Sequence, residues 1–343
     1  MNRWLTKAMV VILGLILVAG CAPAGPKPSR EIVNLELHSA AAVGTGPYVL
    51  ALNLSQMLEE LHPWLRASVV ECLNFADAVH SSDALSPERR KYAFPPTMAT
   101  MEVVAAWQGK PPYKRKFTDL KYLGLCNLPG FTFITYNPDI RTPQDLIGKT
   151  IALNIRGTPV TTLGEITLEH GWGIYDKVRL SYHLPMSHKD VLLTGVADAV
   201  FSGQATPIKG GEFEVFPYCL QIIGARKTYW LDITEEDVAR IDEKTPWKAT
   251  RLVLPKGALG PDVPPEDVGL LVMVVAFLIW EDTPEEIAYE LVKLLAENGE
   301  EWSRRGGGME TSVEYMASLP GLTEDMLHPG ALRYYKEHDI KIE

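Results

Sequence analysis

The run Thr142-Pro143-Gln144-Asp145-Leu146-Ile147-Gly148-Lys149-Thr150-Ile151-Ala152-Leu153-Asn154-Ile155-Arg156-Gly157-Thr158-Pro159 contains a complete α/β connection. Thr142-Pro143 opens a short helix through Ile147, since proline suits the first helical turn, where its missing N–H is not needed. Gly148-Lys149 stops that helix. The apolar stretch 150–154 reads as a strand, and Gly157-Thr158-Pro159 opens a second helix that ends near Gly171. Arg156 falls in the loop between them.

The same alternation continues on both sides. Toward the C-terminus, 178–182 and 197–202 read as strands, and Ser187 with Asp190 makes a capping box for a helix reaching Thr194. Thr206-Pro207 opens another helix, and 218–223 reads as a strand. The segment 230–265 is polar and irregular apart from one helix after Thr234. A buried strand follows at 269–279, then helices at 285–298, 313–319 and 331–337. Toward the N-terminus, 32–38 is a strand, and Gly44-Thr45-Gly46-Pro47 turns into a helix with Leu50, Leu54, Met57, Leu58 and Leu61 on one face. Next come a strand at 67–72, a helix capped by Asn74 with Asp77, a helix after Thr97 that ends at Gly109, and strands at 120–125 and 131–136. Strands alternating with helices imply a parallel or mixed sheet covered on both faces.

At the N-terminus, Arg3 and Lys7 precede an apolar run at 8–20, too short to span a membrane but fitting the core of an export signal. It ends in Leu17-Val18-Ala19-Gly20-Cys21, which resembles a bacterial lipobox. This predicts a lipoprotein signal at 1–20, acylation of Cys21, and a Pro-rich tether at 21–30. The 343 residues suggest about two domains, and 46% hydrophobic with 22% charged residues is an ordinary globular composition. A formal charge of −10 without a basic patch excludes nucleic-acid binding. It does not exclude an anionic ligand, because groups in a cleft outweigh net charge at short range. Beyond Cys21, the cysteines Cys72, Cys126 and Cys219 lack zinc spacing, and their odd number leaves at least one thiol free. Buried thiols are the simplest reading, with one disulfide open in an oxidising compartment.

Three segments resemble the TAXI family, the solute-binding subunits of TRAP transporters. They are Thr142-Pro143-Gln144-Asp145-Leu146-Ile147-Gly148-Lys149 with its following strand and Gly-Thr turn, Gly195-Val196-Ala197-Asp198-Ala199-Val200-Phe201, and His328-Pro329-Gly330-Ala331-Leu332-Arg333-Tyr334-Tyr335-Lys336-Glu337. The resemblance implies a two-lobe α/β fold like periplasmic binding proteins of the second structural type, each lobe a mixed sheet flanked by helices, with the ligand cleft between them. The expected division is 31–137 with 271–343 for one lobe and 138–270 for the other, crossing near 136–141 and 269–275. The family binds small acids such as glutamate or related dicarboxylates. This sequence departs from it in three ligand-facing loops. Ser39-Ala40-Ala41-Ala42-Val43 replaces most of a glycine-rich loop, Leu73-Asn74-Phe75 replaces a Gly-Ser pair, and Arg156 stands where an uncharged residue is usual. The departures point to a different ligand on the same fold.

Ligands of open α/β sheets bind outside the carboxyl ends of the strands. Thr45, Asn74, Thr97 and Thr158 sit at helix starts there, where free N–H groups favour anions or are simply capped. Arg156 is the strongest candidate, since a guanidinium can grip a carboxylate at two points. Ser39, Gln204 and Thr206 follow cleft strands, and Tyr48, Phe75 and Tyr229 are candidates to cover the ligand. No catalytic residue, metal site or cofactor is expected. His183 and His188 lack a third partner, Gly44-x-Gly46 lacks the third glycine of a dinucleotide fingerprint, and no nucleophile or zinc motif occurs. The sequence thus predicts an extracytoplasmic, lipid-anchored protein that captures a small organic acid for a TRAP permease. A ligand sensor docking to a receptor, or an enzyme on the same fold, stays open as an alternative. Replacing Cys21 with Ser is expected to abolish lipid labelling and processing at that site; unaltered labelling would refute the anchor.

Overall fold

The computed structural model describes residues 30–40 and 45–342. The expected signal, Cys21, the tether up to residue 29 and loop residues 41–44 lie outside the described residues. In chain order the strands are β1 (Val33–Ser39), β2 (Leu65–Glu71), β3 (Ala93–Phe94), β4 (Thr97–Ala99), β5 (Leu120–Asn127), β6 (Gly130–Thr135) and β7 (Thr150–Leu153). They continue as β8 (Arg179–Tyr182), β9 (Ala199–Pro207), β10 (Phe213–Glu214), β11 (Tyr229–Trp230), β12 (Arg251–Leu254), β13 (Val268–Val272) and β14 (Val275–Trp280).

One lobe holds two three-stranded sheets, β2-β1-β3 and β4-β14-β5. The other holds an eight-stranded sheet along β12-β13-β6-β9-β7-β8, with β10 on β9 and β11 on β6. The mixed sheets flanked by helices form the two-lobe α/β architecture expected. β13 and β14 are apolar throughout because both of their faces are covered. In the helix Gly46–Leu61, Leu50, Leu54, Met57 and Leu58 are buried against the sheet at helical spacing. Leu61 is 43% exposed, since the chain leaves the helix there to enter β2.

The lobes are joined at two places. The chain leaves the first lobe between β5 and β6, at Leu128-Pro129, and returns between β13 and β14, at Met273-Val274. The Met273 N–H donates to the Pro129 carbonyl at 2.8 Å, so the crossings are bonded to each other. Met273 also packs against the cores of both lobes. The segment 136–141, expected to cross, instead follows β6, which lies wholly in the second sheet. The expected single strand at 269–279 is two strands broken at the crossing.

Other local expectations are corrected. Thr97 lies in β4, and its helix starts at Thr100. The Ser187 hydroxyl donates to the Leu184 carbonyl at 2.7 Å, so no capping box forms with Asp190. Thr206-Pro207 ends β9 rather than opening a helix, and Gly210 and Gly211, at φ +84° and +80°, turn the chain into β10. The stretch expected as a strand at 218–223 is the helix Pro217–Ala225. Its buried residues, Cys219 and Ile222, are three apart, and a short apolar run does not reveal that period by itself. The region 230–265 contains β12 besides its helix. Cys72, Cys126 and Cys219 are all buried free thiols.

Gly124 of β5 has φ +152°, and a Cβ there would lie 2.4 Å from the Tyr335 hydroxyl and 2.8 Å from the Met316 carbonyl oxygen. That hydroxyl donates to the Leu123 carbonyl at 2.6 Å, fastening the C-terminal helix to the sheet. Gly124→Ala is expected to cost about 2–4 kcal/mol in urea unfolding through strain and loss of this bond. A change below about 0.5 kcal/mol would show that the contact yields freely.

Candidate functional site

Strand direction decides which ends can face a ligand. In the first lobe β1, β2 and β3 are parallel and end at Ser39, Glu71 and Phe94. The chain runs straight on from β3 into β4, where Ala99 pairs with Val275, and Asn127 pairs with the same residue from the other side. Ala99 and Asn127 therefore lie at the crossing, and β1, β2 and β3 point toward it. In the second lobe β7, β8 and β9 are parallel, and Ala205 near the end of β9 pairs with Gly130, the first residue after the crossing. The parallel strands of both lobes thus run toward the hinge, and ligands of open α/β sheets bind beyond such strand ends.

In the first lobe this geometry holds Ser39 buried at the end of β1. Thr45 begins the helix Gly46–Leu61, and Tyr48 is half-buried in its first turn. The Asn74 side chain accepts from the Asp77 N–H at 2.9 Å and so caps its own helix. Phe75 is buried in the core of the lobe, and Thr97 is buried in β4.

In the second lobe Thr158 accepts from the Thr161 N–H as a helix cap. Gln204 is fully buried with both polar ends engaged: its amide N–H donates to Thr206 Oγ1 at 2.7 Å, and its carbonyl accepts from the Phe216 N–H at 2.7 Å. It therefore braces the β9–β10 hairpin. A β-bulge sets its direction. Thr132 and Ile134 of β6 pair with Gly203 and Val200, so β9 carries one residue more than its partner. Arg156 is exposed, with its guanidinium 4.2 Å over the Tyr182 ring at the edge strand. Tyr229 is not brought to the hinge. It pairs with Thr135 at the opposite end of β6, with the Arg141 guanidinium 3.9 Å from its ring.

Sequence reasoning missed Asn127 and Asn154, which end β5 and follow β7. They are 8% and 7% exposed, and the carbonyl oxygen of each is buried without a hydrogen-bond partner among the described residues. The signal was present: each is a lone amide interrupting an apolar run. His183, just after β8, has its Nε2 buried and equally unpartnered. Phe216 was missed too; its ring edge lies 3.7 Å from where a Cβ on Gly46 would sit, so it reaches the other lobe. Two further contacts join the lobes. A Cβ on Gly308 would meet both Asn127 and Thr206, and Lys209 pairs with Glu310 at 2.7 Å. These contacts of the second lobe come from 206–216; nearer the crossing, Ala99 and Met101 of the first lobe pack into the second lobe's core and Leu252 of the second lobe packs against the first.

The NMT1-like family matches residues 40–338 of this sequence. The chain belongs to that family. No curated protein matches it significantly. Among solved structures, a periplasmic transporter is similar at 12% identity, covering 92% of this chain and 100% of its own, with a TM-score of 0.49. A TctC solute binding protein from Polaromonas is 14% identical over 89% of this chain and 98% of its own, with a TM-score of 0.47. The periplasmic aliphatic sulphonate binding protein SsuA from Escherichia coli is 14% identical over 90% and 83%, with a TM-score of 0.43.

His188 sits behind the site, fully buried, with Nδ1 against the Ser202 hydroxyl and Nε2 3.3 Å from the Leu153 carbonyl. Burial pushes its imidazole down to about 4, and the Leu153 carbonyl only partly opposes this. The unfolded chain takes up this proton near pH 6.5, where the folded protein still refuses it. Stability present above pH 6.5 is therefore expected to fall, by at most about 3 kcal/mol from this group, as pH drops through about 4. Burial lowers His38, His62 and His328 in the same sense. Urea unfolding of His188→Gln between pH 7 and 4 should show a shallower decline than the parent; an identical slope would assign the decline to other groups.

Proposed function

We propose that this chain is an extracytoplasmic solute-binding protein. It closes two lobes over a small organic acid, either a plain carboxylate or an amino-acid-like molecule, and performs no chemistry on it. It hands the molecule to a TRAP-type permease while Cys21 anchors it to the membrane. The observation that carries the reading is the paired crossing: among the described residues the chain passes between the lobes at Leu128-Pro129 and Met273-Val274, and the parallel strands of both lobes run toward it. The lobes on this reading are 30–128 with 274–342, and 129–273. Two linked crossings permit bending and resist free rotation. The resemblance of the segments at 142–149, 195–201 and 328–337 to the TAXI family supports the choice of a TRAP partner.

Arg156 suits the role of acid-binding group at the rim. A guanidinium stacked on an aromatic ring is held in place while its in-plane N–H groups stay available to a carboxylate. L-Glutamate, glutarate and succinate are suitable first probes, followed by calorimetry for heat and small-angle scattering for closure. A binding acid is expected to make the protein more compact. Arg156→Ala should weaken it about tenfold to a hundredfold with little change in the melting of the empty protein, and Arg156→Lys should recover only part. Binding that leaves the radius unchanged at saturation would overturn closure, and parental affinity in Arg156→Ala would remove this residue from the site.

A further inference from the structure

Away from the crossing, the lobes approach each other in this structure where Phe216 lies near Gly46 and Thr206 near Gly308, and where Lys209 pairs with Glu310. The touching lobes come together beside Asn127, because a Cβ on Gly308 would lie 3.2 Å from Asn127 Cβ and 3.4 Å from Thr206 Cγ2. Closure therefore covers an amide whose carbonyl oxygen has no partner among the described residues. Asn154, after β7 in the other lobe, likewise has a buried carbonyl oxygen without a partner among the described residues. An amide shut away from water without a hydrogen bond is destabilising, and far more so than an apolar group of its size.

We infer that Asn127 and Asn154 make closure conditional on the ligand, and that what they select is a solute carrying N–H or O–H donors. This rests on the solute-binding reading. With no donor present, the two carbonyl oxygens oppose the contacts of the 206–216 hairpin, and the open arrangement is favoured. A donor-bearing solute satisfies them and lets the hairpin close. A bare diacid offers only acceptors at neutral pH and leaves both carbonyl oxygens unpaired. The amides thus act as specificity determinants, and the Lys209–Glu310 pair acts as the latch they restrain.

The test begins without any ligand. Asn127→Leu and Asn154→Leu replace each amide with an apolar group of similar size. Each is expected to melt a few degrees higher than the parent and to be more compact by small-angle scattering while empty. Asn127→Ala removes the same acceptor without filling its place, and it should also be more compact even if it melts lower. Adding Glu310→Gln to Asn127→Leu should restore the parental radius. Parental radii in all three single variants would overturn the inference. With probes, L-glutamate and 2-hydroxyglutarate should raise the parental melting temperature more than glutarate, which lacks the extra donor. The leucine variants should lose that preference by about tenfold or more in affinity ratio. A parental preference for glutarate would also overturn the inference. If no probe shifts the parent, it is the reading of an acid-binding protein that fails, while the empty-protein radii still decide whether the amides oppose closure.

Discussion

The hydrogen bond from the Met273 N–H to the Pro129 carbonyl ties together the two places where the chain changes lobes. Without it the two crossings would not be bonded to each other. With it they form one short piece of ladder, continued on one side by β13 against β6 and on the other by β14 against β5. Met273 adds a side chain that belongs to both cores, so bending here must slide apolar surface rather than expose it.

Around the hinge, polar groups divide by whether the fold uses them. Asn74, Thr158 and Gln204 are spent locally, on two helix starts and one hairpin. Such bonds hold loops in place, and a group so engaged contributes to a ligand only by giving up its partner. Asn127 and Asn154 are buried, His183 is half-buried, and each keeps one buried atom without a partner among the described residues, which is unusual enough in a folded interior to call for a reason. The stacked Arg156 lies between these cases, positioned by Tyr182 but with its N–H edges unconsumed by the ring.

The alternation of strands and helices was legible because each transition carries its own chemistry. Thr158-Pro159 opens a helix, Gly109 at φ +66° closes one, and Asn74 with Asp77 caps another. The failures cluster where that chemistry is ambiguous. Thr206-Pro207 has the look of a helix start, yet hairpin pairing with Phe213 holds it in a strand. The apolar run 218–223 is too short to declare its period, and only packing of Cys219 and Ile222 makes it helical. Of the site, the loops were found because they follow strands. The roles of Gln204 and Tyr229 were not, since local sequence reports neither a backbone partner twelve residues away nor the end of a sheet on which a strand docks.

The extra residue in β9 has a further consequence. It works as a frame shift written into the sheet. Beyond the bulge, Ala205 packs in the cluster of Leu254, Val268 and Leu270, while Gln204 points the other way to hold Phe216. A one-residue deletion near Phe201 or Ser202 would give a tidier ladder and turn over every side chain that follows. The strand would gain regularity at the expense of the hairpin, and an alignment that closes this gap would equate residues lying on opposite faces.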